Sequence, residues 1–199
     1  KVATEVYLPE RVDFATFSSH KFHGLRGVGF VYIKEGKKIT PLLTGGGQEK
    51  EMRSTTENVA GIAATAKALR LAMENQEVFA SKTQQMKEVI RIELANYPDV
   101  TVFSGEDHFA PHILTFGIKG VRGEVVVHAF EEFDIYISTT SACSSKAGKP
   151  AGTLIAMGVD KSIAQTAVRL SLDIENDMSQ VEQFLTKFKL IYEQTRKVR

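Results

Sequence analysis

The spacing of hydrophobic and polar residues changes near residue 96, and the two parts of the chain predict different elements. In the first part, β-branched and aromatic residues cluster at 12–17 and at 28–33, with a polar turn between the clusters. Such clusters are typical of β-strands. The stretch 41–58 surrounds three consecutive glycines, so it predicts a loop.

A helical pattern runs over residues 56–96, where Ala, Leu, Met, Lys and Glu dominate and proline is absent. Leu69, Ala72 and Met73 follow the i, i+3, i+4 spacing that puts side chains on one face of a helix. We expect this stripe to be buried. A pattern of this length predicts two helices, with the break near Asn75.

After residue 96 the elements become short and alternate in type, which predicts an α/β unit. Strands are expected at 100–103, 113–118, 135–138 and 167–172, and helices at 124–133, 152–157 and 177–194. Ser, Thr, Gly, Lys and Pro dominate the stretch 139–152 around the single cysteine, Cys143. That composition is typical of a mobile loop.

Charge and cysteine content exclude several classes of protein. The 199 residues hold 25 Lys and Arg against 24 Asp and Glu, so no basic excess points to nucleic acid. No apolar run approaches the roughly 20 residues that cross a bilayer, so no membrane partner is expected. A single cysteine excludes an internal disulfide framework and favours a reducing cytoplasm.

Lys21 is a candidate Schiff-base lysine, because it follows a predicted strand that would hold its amine in place. The hydroxyls of Ser18 and Ser19 and the ring of His20 are donors for a phosphate group beside it. The alternative interpretation is a solvated lysine in a polar turn.

Cys143 lies in a segment too polar for a hydrophobic core, next to Lys146 and Lys149. Nearby cations lower a thiol pKa, so this residue is a candidate thiolate nucleophile. An incidental cysteine is the alternative.

Arg169 lies in an apolar, strand-like stretch and needs a partner. Its planar guanidinium favours a bound carboxylate, and a structural salt bridge is the alternative. His108, His112 and His128 lack the spacing of metal ligands, so no metal site is expected.

Six short motifs follow one another along nearly the whole chain. They are Ser18-Ser19-His20-Lys21 with Gly24 and Gly27-Val28-Gly29, Gly45-Gly46-Gly47-Gln48-Glu49, Met52-Arg53-Ser54-Thr55-Thr56, Pro111-His112-Ile113-Leu114, Ser141-Ala142-Cys143-Ser144-Ser145 and Val168-Arg169-Leu170-Ser171. In this order they resemble the NifS/IscS-like cysteine desulfurases of the class V aminotransferase group. The resemblance implies the α/β fold of pyridoxal-phosphate-dependent transferases related to aspartate aminotransferase.

By this resemblance, residues 1–60 are the C-terminal portion of the cofactor-binding large domain. Residues 61–95 are linking helices, and 96–199 are the small C-terminal α/β domain. The resemblance also implies that Lys21 carries pyridoxal 5'-phosphate covalently, and that Ser18 and His20 bind its phosphate.

The same resemblance assigns Thr56 to the phosphate of the partner subunit's cofactor, which implies a homodimer. It assigns Arg169 to the substrate carboxylate and Cys143 to the sulfur-accepting nucleophile. The implied reaction removes sulfur from L-cysteine, giving L-alanine and a Cys143 persulfide for an acceptor protein. Iron–sulfur cluster assembly and tRNA thiolation are the candidate pathways.

Three alternatives stay open: a selenocysteine lyase, another class V aminotransferase-fold enzyme, and a non-catalytic module that docks a sulfur acceptor. The chain also departs from the family, because the family's members are about twice as long. It has threonine at position 55 where many of them have glycine. Because the other half of the family's members supplies further contacts to the cofactor, we expect this polypeptide alone to bind the cofactor poorly or not at all and to lack turnover.

Overall fold

A computed structural model describes residues 10–105, 109–139 and 152–197 of the chain. The chain divides into two compact units, Lys1–Glu77 and Val78–Arg199. The boundary lies inside the segment 61–95 that the sequence predicts as linking helices. The finer division at residues 60 and 95 stays a prediction.

The first unit contains an antiparallel hairpin of strands β1 (Phe14–Ser18) and β2 (Gly29–Ile33). Both strands agree closely with the predicted ones, and Ser18 pairs with Gly29 at the end of the ladder. A side chain at position 29 would force the backbone to shift, since its Cβ would lie 2.3 Å from the Phe17 carbonyl oxygen. Glycine thus permits the close approach of the two strands beside the turn that follows β1.

Two consecutive helices follow, α1 (Val59–Glu74) and α2 (Gln76–Ala95). The predicted break near Asn75 is confirmed, and Asn75 caps the end of α1 by bonding back to the Leu71 carbonyl. At the other end of α1, the Asn58 side chain accepts a 3.0 Å hydrogen bond from the Gly61 amide. That cap places the start of α1 three residues after the predicted start at residue 56.

The second unit is built on an antiparallel sheet whose described strands lie in the order β3-β4-β6-β5. The strands are β3 (Val100–Val102), β4 (Ile113–Ile118), β5 (Ser138–Thr139) and β6 (Ala167–Ser171). The helices that accompany them are α3 (Gly123–Glu131), α4 (Gly152–Ala156), α5 (Lys161–Ala164) and α6 (Met178–Lys197).

The two faces of this sheet are covered differently. Alternate residues of β4 and β6, such as Phe116 and Val168, enter one large core together with apolar residues of α2, α3 and α6. Ala167 belongs instead to a small cluster with Leu154 of α4 and Ala164 of α5. Because successive strand residues point to opposite faces, Arg169 lies on the face opposite Val168 and Leu170.

The strand predicted at 135–138 is wrong in its bounds, because β5 begins only at Ser138. The preceding residues terminate α3: Asp134 adopts a left-handed φ of 57°, and the Ile135 amide donates to the Phe130 carbonyl. This bond is typical of a helix C-terminus. Ile135 therefore belongs to the C-terminal cap of α3 and not to a strand. The helix ends at Glu131, two residues before the end predicted at residue 133.

Helix α5 was not predicted, although the chain carries a signal for it. The Asp160 carboxylate accepts hydrogen bonds from the Ser162 amide, at 2.7 Å, and from the Ser162 hydroxyl. These bonds lower the pKa of Asp160.

Within the described ranges, no helix is long and apolar enough to span a membrane.

Candidate active site

A single 3₁₀ turn, Ser19–Phe22, follows β1 and carries Lys21. Residues i and i+3 of such a turn eclipse each other. Ser19 and Phe22 accordingly face inward and are buried, whereas His20 and Lys21 are exposed. Phe22 packs with Ala68 of α1, so the inward side attaches the turn to that helix and leaves the Lys21 amine outside.

The inward position of Ser19 corrects one expectation. Its side chain is fully buried, and its hydroxyl oxygen lies 2.9 Å from the Thr65 hydroxyl oxygen on α1. Its amide donates to the Val28 carbonyl, and its own carbonyl accepts from the Gly24 amide, each at 3.0 Å. Ser19 therefore holds the turn in place and does not offer its hydroxyl to a phosphate.

The remaining donors of the turn suit the pyridoxal phosphate that the sequence suggests. Ser18 is half-buried, and its side chain makes no capping bond to the turn. Among the described residues, Lys21 has no ion-pair partner. A hydroxyl, an imidazole and an amine thus lie within four consecutive positions. The first two are phosphate donors, and the amine is the group that an aldehyde requires.

The Gly-rich loop after β2 contains a left-handed turn. Glu49, Lys50 and Glu51 have φ values of 51°, 55° and 66°, conformations that non-glycine residues adopt at a cost of about 1 kcal/mol each. The Ser54 hydroxyl donates to the Gly46 carbonyl at 2.7 Å and holds the two ends of the loop together. Thr56 lies beyond this loop and is exposed.

Arg169 lies on β6 between two neighbouring strands. Its Nη2 atom donates a 3.1 Å hydrogen bond to the hydroxyl of Ser138 on β5. Its Nε atom is buried and has no hydrogen-bond partner within the described residues. No described carboxylate forms an ion pair with it either, so the salt-bridge alternative finds no support in this part of the chain.

Cys143 lies outside the described residues, as do Lys146, Lys149 and His108. His112 is buried and packs edge to face against Phe79, with ring centroids 5.4 Å apart. His128 is exposed and lies 2.8 Å from a Glu131 oxygen. These two histidines therefore occupy a core and a surface position.

Lys87 of α2 is a residue that the sequence did not single out. Its side chain is fully buried, and its Nζ atom donates to the Ala110 carbonyl at 3.2 Å and lies 5.7 Å from the centre of the Phe109 ring. Burial lowers the pKa of this ammonium, while neighbouring Glu88 acts in the opposite direction. Lysine at this helical position looks like any other surface charge in the sequence, so no local pattern reveals its burial.

The chain matches a known protein family over most of its length. The model of the class-V aminotransferases matches residues 10–184, which is most of the chain. The chain belongs to the class-V aminotransferase family. The matched range covers the Lys21 turn in one unit and Arg169 in the other.

Relatives of this class-V chain include cysteine desulfurases. A NifS/IcsS protein homolog of Lactobacillus delbrueckii subsp. bulgaricus is 49% identical over 94% of this chain and 49% of its own length. The cysteine desulfurase IscS of Clostridium botulinum is 35% identical over 94% of this chain and 48% of its own. The chain thus spans about half the length of these relatives.

Solved structures agree with the α/β fold predicted from the sequence. A NifS-like protein matches with a TM-score of 0.80 and 35% identity over 94% of this chain and 47% of its own. The NifS-like protein of Rickettsia africae matches with a TM-score of 0.81 and 30% identity over 92% of this chain and 48% of its own. The predicted relation to NifS-like proteins is therefore confirmed.

Proposed function

We propose that this chain is part of a pyridoxal-phosphate-dependent cysteine desulfurase, which converts L-cysteine to L-alanine and a persulfide on Cys143. The observation that carries the proposal is the turn after β1. It exposes Lys21 and His20 while Ser19 and Phe22 hold it to α1. Relatives called cysteine desulfurase support the choice of reaction within the family.

Lys21 is proposed to hold the cofactor through its Nζ atom, with Ser18 and His20 as donors to the phosphate. When bound, pyridoxal phosphate supplies a ring that takes up the electron pair developing at the substrate Cα. Lys21 Nζ is then the base that removes the Cα proton. Its short turn is packed against α1 and keeps the amine close to the cofactor and therefore to the substrate Cα.

Arg169 is proposed to bind the substrate carboxylate. Within the described residues its guanidinium has one hydrogen bond, to Ser138, so most of its N–H groups are available for a ligand. A carboxylate is the group that a planar guanidinium binds best. This contact would orient cysteine and discriminate against thiols that lack a carboxylate.

Cys143 is proposed to take the sulfur. Its thiolate Sγ attacks the substrate sulfur, a sulfur–sulfur bond forms, and the carbon–sulfur bond of the substrate breaks. The electron pair of the broken bond stays on the substrate carbon, which is protonated to complete L-alanine. The persulfide is then passed to a sulfur-acceptor protein, in iron–sulfur cluster assembly or in tRNA thiolation.

The test uses the longest protein that carries these 199 residues, loaded with pyridoxal phosphate. Alanine formation from L-cysteine is measured, and the Cys143 persulfide is mapped by mass spectrometry. We expect Lys21→Arg and Cys143→Ser each to lower alanine formation by roughly a hundredfold or more. The matched control is Lys67→Arg, an exposed lysine of α1, which should leave the rate unchanged.

Each competing function predicts a different result. An aminotransferase would keep its activity in Cys143→Ser, because that reaction needs no thiol. A selenocysteine lyase would act strongly on selenocysteine and weakly on cysteine. A non-catalytic docking module would bind a sulfur acceptor equally well in both variants and would form no alanine. Any of these three results would replace the desulfurase proposal.

A labelling experiment tests Lys21 on this chain directly. Pyridoxal phosphate is added, the mixture is reduced with borohydride, and modified lysines are mapped by mass spectrometry. Adduct on Lys21 alone would support a preformed half-site, whereas scattered labelling of surface lysines would mean that the segment outside this chain is needed. If Lys21 stayed unlabelled in the longer protein as well, the proposed role of Lys21 would be wrong.

We also infer a homodimer with shared sites, in which Thr56 reaches the phosphate bound by the partner subunit. Thr56 is exposed, as such a role requires. Mixed dimers of Lys21→Arg and Thr56→Val protomers retain one intact site under this arrangement. They should therefore regain activity that neither parent dimer shows, and no gain on mixing would count against shared sites.

A further inference from the structure

Three polar residues form a row across the sheet of the second unit. Arg169 on β6 pairs directly with Thr115 on β4 and with Ser138 on β5. Directly opposed residues of antiparallel strands project their side chains to the same face. All three side chains are half-buried on the face opposite the main core.

Only one neighbour in this row is bonded to Arg169. The guanidinium Nη2 donates to the Ser138 hydroxyl at 3.1 Å, and no hydrogen bond within the described residues joins it to Thr115. Thr115 makes its own contacts through the backbone, where its amide donates to the Ser104 hydroxyl at 2.9 Å. Within the described residues, the side chain of Arg169 is therefore hydrogen-bonded on the β5 side and not on the β4 side.

The pairing of β5 with β6 fixes the place of Ser138. Its neighbours in the chain contribute on the other face: Ile137 is buried in the main core, and Thr139 pairs with Val168. The backbone of Ser138 is thus fixed opposite Arg169, and its hydroxyl lies 3.1 Å from the guanidinium Nη2 atom. Its short side chain loses little conformational freedom on bonding.

We propose that Ser138 is a positioning residue, which orients the Arg169 guanidinium for the carboxylate of an α-amino acid. This inference rests on the proposed function, in which Arg169 binds the substrate carboxylate. A guanidinium binds a carboxylate best through two parallel N–H groups, so its plane must be oriented before the ligand arrives. The Ser138 hydroxyl provides that orientation by accepting from one Nη2 hydrogen.

The test is an NMR titration of the ¹⁵N-labelled 199-residue chain, observing the Arg169 side-chain Nε–H signal, which Arg169→Lys identifies by its loss. The ligand is L-alanine, the amino acid product, and alaninamide serves as the ligand without a carboxylate. We expect L-alanine but not alaninamide to shift this signal. Ser138→Ala should raise the Kd for L-alanine by about three- to tenfold, the range expected for a partly exposed hydrogen bond to a charged group.

Two further variants separate orientation from general disturbance of the sheet. Ser138→Thr keeps a hydroxyl at the same place and should restore the wild-type Kd. Thr115→Val removes the hydroxyl on the unbonded side of Arg169, and it should leave the Kd unchanged. Loss of affinity in Ser138→Ala with recovery in Ser138→Thr would support the role of Ser138.

Equal Kd values in the wild type and Ser138→Ala would overturn the inference, as would an equal loss in Thr115→Val. It would also be overturned if the wild-type Arg169 signal did not respond to L-alanine. If instead these binding results were as expected while the longer protein formed no alanine from cysteine, the desulfurase proposal would fail and the positioning role would stand.

Discussion

The Lys21 turn depends on the absence of a side chain at Gly24, and Gly24→Ala tests this. An alanine Cβ at this position would lie 1.8 Å from the Ser19 hydroxyl oxygen, 3.0 Å from Ser19 Cβ and 3.1 Å from the Ser19 carbonyl oxygen. Ordinary contacts begin near 3.4 Å. The Ser19 hydroxyl would therefore have to rotate away, and it would lose its 2.9 Å bond to Thr65.

These contacts set the loss of unfolding free energy expected for Gly24→Ala. Loss of one buried hydrogen bond costs about 1 kcal/mol. Overpacking in a tight site costs about 1–3 kcal/mol. Replacing glycine by alanine returns about 0.4–1 kcal/mol, because the unfolded chain loses freedom. We therefore expect Gly24→Ala to lower the stability of the first unit by about 2 kcal/mol.

Amide hydrogen exchange followed by NMR measures this locally, since the Ser19 amide is bonded to the Val28 carbonyl. The control is Gly47→Ala, because nothing lies within 4 Å of a Cβ there. It should change the free energy of exchange by less than about 0.5 kcal/mol.

A double variant tests whether the Ser19 hydroxyl is the group that a Cβ at position 24 would meet. Ser19→Ala removes the hydroxyl that the new Cβ would strike, so the two changes should cost about 1 kcal/mol less together than the sum of the single costs. If the costs simply added, the Ser19 hydroxyl would not be the group that Gly24 accommodates, and the expected loss of its bond to Thr65 in Gly24→Ala would be wrong.

Three other predictions concern stability. Lys87→Met removes a buried ammonium whose pKa is lowered. In the wild type, the folded state releases this proton more readily than the unfolded state does. The free energy of unfolding should therefore rise with pH up to about 10.5, where the unfolded lysine also loses its proton. This rise should be absent in Lys87→Met. Phe184→Ala removes a ring stacked on Phe130 at 5.0 Å, and urea unfolding should show a loss of about 3–5 kcal/mol. Lys50→Gly relieves a left-handed residue of φ 55°, so thermal unfolding should show a gain of up to about 1 kcal/mol, whereas a loss would mean that the lysine side chain has a structural role.

Local patterns predicted most of the elements, because helices and strands follow from the spacing of neighbouring residues. The break near Asn75 and the long helix after residue 177 are examples, and both agree with the structure. Errors of boundary arose where a side chain or a cap decided where an element ends. Ile135 reads as a strand residue, yet its amide caps α3, and Asp160 begins a short helix that hydrophobic spacing does not reveal. The stripe that the spacing predicts as buried is a different error, since Met73 is 52% exposed and Leu69 and Ala72 are only half-buried.

For the candidate site too, the sequence predicted some features and the tertiary structure decided others. The order of the motifs around Lys21, Thr56, Cys143 and Arg169 suggested the family, and the class-V match to residues 10–184 confirms the family itself. The roles of the single residues stay proposals. Motif order is a property of the chain alone, so no tertiary structure was needed to read it.

Tertiary structure alone decided which way the side chains point and what they meet. Ser18 and Ser19 are indistinguishable as sequence, but only Ser19 turns inward to Thr65, which lies 46 positions away. Arg169 meets Ser138 across 31 positions because strand register sets them opposite each other. Such contacts depend on how distant segments pack, so the sequence around either residue does not indicate its partner.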